Sequence, residues 1–223
     1  MEASGCVQSI RDDGVRMKWS TTVTVSAIAL VTVLVVAGGC QATRAGYETA
    51  PYRVIRSDGP FELREYPTMQ WVETSLGEGQ GDSDGSFGLL FRFITGGNAS
   101  RKKIAMTTPV YMTEAPTPES PSRRVMAFVM PQSMAPIAVP EPSDASVRRR
   151  QVAAGRFAVH RFRGGRSAER ESAARAELQA WVKDRGLSVA DPTPIFGYFD
   201  PPWTPAIFRR NEVMLRVEAT EVP

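Results

Sequence analysis

The sequence predicts an α+β domain in two related halves, with two helices packed on a curved sheet or distorted antiparallel β-barrel. Three observations predict it. Short apolar stretches of strand length recur between residues 52 and 217, separated by Gly, Pro, Asp and Ser clusters. Two segments carry apolar residues at helical spacing with capping residues at their ends. Each helix follows a similar strand segment, Phe61-Glu62-Leu63-Arg64-Glu65-Tyr66 or Phe157-Ala158-Val159-His160-Arg161-Phe162, and each precedes two further strands. That recurrence is a pseudo-two-fold repeat.

Residues 52–56 and 61–66 read as strands joined at Ser57-Asp58-Gly59-Pro60, and residues 69–74 as a third strand after Pro67. A Gly/Asp/Ser loop spans 77–85. Asp84 or Ser86 caps the first helix. There Phe87, Leu90, Phe91 and Ile94 fall at i, i+3, i+4 and i+7 and share one face, and Gly96-Gly97 ends the helix. Strands are expected near 103–106 and 110–112. Beyond a Pro/Ser-rich loop at 114–123, residues 125–130 are apolar on both faces, so that strand is central. A proline-rich connection leads to strands at 147–152 and 157–162, with Gly155 turning between them. Ser167 caps the second helix, Glu169 and Glu171 suit its first turn, and Ala174, Leu178, Trp181 and Val182 form its apolar face. Gly186 stops it. Residues 195–199 and 212–217 are the final strands.

With 42% hydrophobic and 23% charged residues in 223, the composition is globular, neither disordered nor collagenous. A net charge of +3 is too mild to imply nucleic acid, and no nucleic-acid partner is expected. Two cysteines and one histidine exclude a Cys-based zinc site and a two-histidine metal site. There is no nucleophile elbow, P-loop or dinucleotide fingerprint. No catalytic residue is assigned, and the non-enzymatic reading is preferred.

The first forty residues read as an address. Arg11, Arg16 and Lys18 precede an uncharged run from residue 19 to 43, and Met17 is an alternative start. The run ends Val36-Ala37-Gly38-Gly39-Cys40, which resembles the lipobox of bacterial lipoproteins, where the cysteine is acylated and becomes the new N-terminus. The expected organisation is a signal peptide over 1–39, a lipidated tether over 40–50 and a folded domain over 51–220. An uncleaved membrane anchor is the competing reading, since about 20 apolar residues suffice to span a bilayer. Cleavage before Cys40 leaves 223 − 39 = 184 residues and removes Cys6. A folded part without a free thiol suits the cell envelope, facing the periplasm or the exterior.

Several segments resemble the SOUL haem-binding family. They are the Glu-Leu-Arg-Glu-Tyr run at 62–66, Gly-Gly-Asn at 96–98, Lys103-Ile104-Ala105-Met106-Thr107-Thr108-Pro109-Val110, Asp200-Pro201-Pro202-Trp203 and Arg209-Arg210-Asn211-Glu212-Val213, in that order. The resemblance covers nearly all of 47–218. It implies a two-repeat distorted β-barrel with two flanking helices, similar to the gyrase-inhibitor-like small-molecule-binding domains. It also implies binding of haem or another tetrapyrrole in an apolar groove, with no need of the ligand for folding.

A tetrapyrrole is a flat apolar plate with two carboxylates on one edge, so its site needs an apolar cleft and a cation at the mouth. The first helix offers Phe87, Leu90, Phe91 and Ile94 with Arg92 beside them, and Met106 adds a soft contact. The competing reading is that these apolar residues are plain core. His160 is the one imidazole that could ligate iron, although an ordinary strand residue is the simpler reading. The ligand-ligating histidine described for some relatives lies in the first helix region, where this chain has none. The resulting expectation is a tetrapyrrole, or another apolar small molecule, in a slot between the halves, on a protein held to the membrane by its N-terminal lipid or anchor. The alternatives are a hydrolase of the related fold, using one glutamate in the groove, and an envelope interaction module.

Overall fold

The computed structural model describes residues 46–77, 85–117, 120–134 and 138–219. The expected signal peptide, Cys40 and Asp84 lie outside the described residues. The chain divides into two units, Met1–Gly39 and Cys40–Pro223, and every described residue belongs to the second.

In chain order the elements are β1 (Glu48–Thr49), β2 (Arg53–Asp58), β3 (Phe61–Tyr66), β4 (Met69–Ser75), α1 (Ser86–Ile94), β5 (Thr107–Thr108), β6 (Val110–Thr117) and β7 (Ser120–Val129). They continue with β8 (Val147–Val152), β9 (Gly155–Arg163), α2 (Ala168–Asp184), β10 (Val189–Tyr198), a short 3-10 turn (Ala206–Phe208) and β11 (Arg210–Val217). Nine strands form one antiparallel sheet in the order β2-β3-β9-β11-β10-β6-β7-β4-β8. β1 pairs in parallel with β5, so Glu48 and Thr49 of the expected tether already belong to the fold.

The sheet is open, which corrects the expected barrel: β2 and β8 are its two edges, with no ladder between them among the described residues. It is nevertheless rolled. Only Pro67 and Thr68 separate the end of β3 from the start of β4, a reach of at most about 11 Å. Those strands stand second and eighth in the order, so the two margins of the sheet must approach each other.

The strand order also defines the repeat. β4-α1-β6-β7 and β9-α2-β10-β11 meet where β6 pairs with β10. The strand leading each half pairs with the other half, β3 with β9 and β8 with β4. Topology therefore matches β3 with β8 and β4 with β9. The sequence echo had set β3 against β9, which are in fact ladder neighbours, with Phe61 opposite His160.

Alternation along the strands sends successive side chains to opposite faces. On one face, Val72, Met112, Met126 and Phe128 pack under α1, and Leu63, Ala158, Val213 and Leu215 pack under α2. The other, concave face buries Tyr66, Met69, Trp71, Tyr111, Phe157, Val159 and Met214 together. As expected, residues 125–130 are buried throughout and β7 is interior to the sheet.

α2 forms as its sequence predicts. The Ser167 hydroxyl accepts the Arg170 amide at 3.3 Å, and Ala174, Leu178, Trp181 and Val182 are buried. α1 differs in two respects. Its cap is Gly85 in the left-handed region (φ 80°), and the Ser86 hydroxyl instead donates to the Ser75 carbonyl at 3.1 Å. Its buried stripe is Leu90, Phe93 and Ile94, while Phe87 and Phe91 face outward. The helix is apolar nearly all round, so periodicity alone could not choose which face turns inward. The strand expected at 103–106 reduces to a single bridge from Lys103 to Thr95, because the Ile104 amide donates to the Ile94 carbonyl and ties the segment to the helix end. Gly97 is required there: a Cβ would lie 2.8 Å from the Arg92 carbonyl oxygen.

Candidate functional site

Three regions carry concentrated chemistry, and the concave face is the most polar. Arg64, 1% exposed, lies on it, on β3 beside the edge strand β2. Its guanidinium donates to Glu62 Oε2 at 2.6 Å, to Glu212 Oε2 at 2.7 Å and Oε1 at 3.1 Å, and to the Tyr66 hydroxyl at 3.1 Å. Arg210 adds a contact to Glu212 at 3.0 Å, and Arg161 one to Glu62 at 3.3 Å. Burial pushes the Tyr66 hydroxyl up to about 12, against the pull of the Arg64 charge and with the push of Glu212. Burial likewise raises Tyr111, which stacks on Trp71 at 4.8 Å. Further round the same face, Glu73 pairs with Arg148 (3.2 Å) and Arg150 (2.8 Å). The concave face is thus filled by its own side chains. The carboxylates of Glu62, Glu73 and Glu212 there each face an arginine, as buried charges require, while the Trp71 indole Nε1 is buried without a hydrogen-bond partner among the described residues.

A second region lies between the start of α2 and the central strands. It is a cleft of about 230 Å³ lined by Met112, Arg124, Glu171, Arg175, Pro194 and Phe196, among others. Two glutamates line it, exposed Glu114 and half-buried Glu171, and the second is the more closely held. Its Oε1 accepts the Tyr198 hydroxyl at 2.5 Å and faces Arg166 at 3.4 Å, and Arg124 stands 3.8 Å from Oε2. Burial, then the bond to Glu171, raises the Tyr198 pKa. A carboxylate so engaged has little freedom to take a proton from a substrate.

The third region is the outer side of α1. Phe87 (39% exposed) and Phe91 (47%) stack at 5.9 Å, and the edge of Phe87 meets the buried Phe128 ring at 5.3 Å. Arg92 is exposed in the last turn of the helix. Met106 is half-buried against the same core. Leu90, by contrast, is fully buried beneath the helix.

Phe87 and Phe91 thus stack on the exposed side of α1, with exposed Arg92 next in sequence, while Leu90 and Met106 pack with the core beneath the helix. His160 is elsewhere. It is buried below α2, stacked on Phe61 at 4.5 Å, with Nδ1 3.2 Å from the Ala174 carbonyl and Nε2 3.4 Å from Glu177. No cluster of three or more His, Cys, Asp or Glu able to hold a metal occurs among the described residues. Sequence reading missed a further cleft of about 580 Å³ at the lip of the sheet, lined by Pro51, Tyr52, Arg53, Glu65, Tyr66, Pro67, Ala154 and Gly155. The Arg53–Glu65 pair (2.6 Å) rims it and the Arg64 guanidinium covers the Tyr52 ring at 4.0 Å. The cleft joins segments distant in sequence, so no local pattern announces it.

Comparison with known proteins agrees with this architecture. Solved structures with similar folds include a hydrolase from Listeria innocua (9% identity, TM-score 0.52, covering 74% of this chain and 94% of that one). An uncharacterized conserved protein from Listeria innocua aligns at 10% identity and TM-score 0.50, covering 71% and 92%. At these identities the likeness concerns the fold alone. No curated protein matches the chain. The family model described as SOUL heme-binding protein matches residues 47–216. The chain belongs to the SOUL heme-binding protein family.

Proposed function

We propose that this protein binds haem or a related tetrapyrrole on the outer side of α1, without enzymatic activity, and is held at a membrane outside the cytoplasm by its N-terminal segment. Family membership supports the ligand class. The observation that carries the site is the exposed Phe87–Phe91 stack beside Arg92. Two rings in register offer a flat macrocycle an apolar bed, and an arginine fits a propionate edge. Leu90 and Met106 belong to the core on which α1 packs.

The residues fit the plate better than the metal. Both His160 ring nitrogens have neighbours beneath α2. The chain's own role is then to bury the macrocycle face and pair its carboxylates, whatever the metal. The lip cleft is large enough for a ligand, since such sites run to about 300–1,000 Å³. Its charged rim already pairs with itself, which favours α1. The engaged state of Glu171 favours binding over hydrolysis.

Titration with hemin and with metal-free protoporphyrin tests the reading. Both should bind with similar affinity, and Phe87→Ala with Phe91→Ala should weaken both. Unchanged binding in that double variant contradicts the α1 site. The anchor reading rests on the uncharged run and on Cys40, with the domain facing the periplasm or the exterior. Labelled palmitate should enter the full chain and not its Cys40→Ala variant, and incorporation into the variant contradicts acylation at Cys40.

A further inference from the structure

We infer that the loop following β10 docks on an anionic lipid surface, placing Trp203 and Ile207 among the headgroups. The inference rests on the reading that the N-terminal segment anchors the chain. Trp203 is 78% exposed and Ile207 71%, whereas Phe91, the next large apolar side chain among the described residues, is 47% exposed.

The loop is stiff. Pro201, Pro202 and Pro205 fix their φ angles. The Thr204 amide donates to the Pro201 carbonyl at 3.0 Å and the Phe208 amide to the Pro205 carbonyl at 2.9 Å. Arg209 clamps it from within, donating to the Thr204 carbonyl at 2.7 Å and to that of Pro202. Thr204 itself is buried. Two large apolar side chains are thus presented on a rigid frame and lose little conformational freedom on docking. At such exposure they have few walls around them with which to enclose a small ligand. A soft headgroup layer needs no walls, and tryptophan, apolar in body with one polar N–H, suits that layer.

The surroundings are basic. The Gly164 amide donates to the Arg209 carbonyl at 3.3 Å, and a Cβ on Gly165 would touch that of Ala206 at 3.6 Å. The loop therefore packs on the Gly164-Gly165 turn, which exposed Arg163 and Arg170 bracket. Two acids stand nearby and set negative charge against the arginines: Asp200, which accepts the Arg210 amide at 2.6 Å, and exposed Glu169, which hydrogen bonds from the backbone at the start of α2 and from Ser167 hold below the usual carboxylate range. Exposed arginines beside a projecting tryptophan complement anionic lipid.

Topology supplies the direction. Tyr198, the last residue of β10, pairs with Val110, the first of β6. β5 runs directly into β6 and holds β1, with Glu48 opposite Thr107. The chain preceding Glu48 and the Trp203 loop thus join the central strands at the same end. The described chain therefore enters the fold, at residue 48, from the end of the sheet that carries the loop.

The test uses the full chain reconstituted in vesicles of phosphatidylcholine with phosphatidylglycerol, with or without brominated acyl chains, alongside Trp203→Phe. The Trp203 emission is the difference between the two proteins, since Trp19, Trp71 and Trp181 are common to both. The expected result is a blue-shifted difference emission that brominated lipid quenches, with loss of quenching in phosphatidylcholine alone or in Arg163→Glu/Arg170→Glu. A blue shift without quenching means that protein covers Trp203 and overturns the proposal, as does an unshifted, unquenched emission. Flotation reports the anchor separately. A chain that floats with unquenched Trp203 keeps its anchor and loses the docking claim, whereas a chain that does not float loses both.

Discussion

The concave face of the sheet and the outer side of α1 both combine aromatic rings with arginine, yet they are built to opposite ends. On the concave face Glu62, Glu73 and Glu212 each meet an arginine within hydrogen-bond distance, and Trp71, Tyr111 and Tyr66 fill the space between. On α1 the rings of Phe87 and Phe91 touch each other, and Phe87 also meets Phe128, but both rings remain partly open to solvent. The difference is the ground for proposing the ligand site outside the rolled sheet. The inside is occupied by structure, and opening it would strip partners from buried charges.

The comparison can be broken most forcefully from within. Glu212→Ala removes the two-pronged partner of Arg64 and leaves a buried guanidinium with Glu62 and Tyr66. Stability should fall by about 3 kcal/mol. Urea denaturation measures it, and a loss below about 1 kcal/mol would show the network to be dispensable.

High pH probes the same region with a somewhat smaller effect. The Tyr66 pKa is raised to about 12 in the folded state, from an ordinary value near 10. Its stabilising contribution is therefore complete below about pH 10, where both states hold the proton. It is lost as pH climbs to about 12, because the unfolded chain ionises first. Two pH units correspond to about 2–3 kcal/mol. The loss should be shallower in Tyr66→Phe, and an equally steep one in that variant would assign it to another group.

The outer face should behave in reverse, with small stability changes and a clear binding change. Phe91→Ala should weaken hemin binding roughly tenfold, the equivalent of losing one partly buried ring. Its unfolding midpoint should hardly move, since Phe91 is already half exposed. Tyr52→Ala, at the lip cleft, should leave hemin affinity unchanged, and a loss there would move the site to that cleft. The smallest effect belongs to His160→Gln, for which the Soret band of the haem-loaded protein should not change. A vanished Soret band would make His160 an iron ligand.

Much of the fold is legible in the sequence because local chemistry decides it. Ser167 with Glu169 and Glu171, then Ala174, Leu178, Trp181 and Val182, specify α2 and its buried face without reference to anything distant. The unbroken apolar stretch at 125–130 announces a central strand. What stays illegible is what many strands decide together. Nothing local tells that β3 crosses to pair with β9 or that the sheet stops short of closing. In α1, Phe87, Leu90, Phe91, Phe93 and Ile94 surround a nine-residue helix, so only the packed sheet chooses Phe93 for the core and leaves Phe87 and Phe91 outside. The Arg64 cluster joins residues 148 positions apart, beyond any pattern of spacing. The basic run at 148–150 reads as a solvated edge. In the fold, Arg148 and Arg150 turn to Glu73, and Arg149 bonds the Val139 carbonyl and Glu141.

One titration tests the central claim most directly: hemin added to the full chain, to Phe87→Glu/Phe91→Glu and to Glu212→Gln, each first shown to be folded by circular dichroism. The account predicts that the α1 variant loses binding while Glu212→Gln retains it. Retained binding in the α1 variant together with loss in Glu212→Gln would place the ligand inside the sheet and contradict the account.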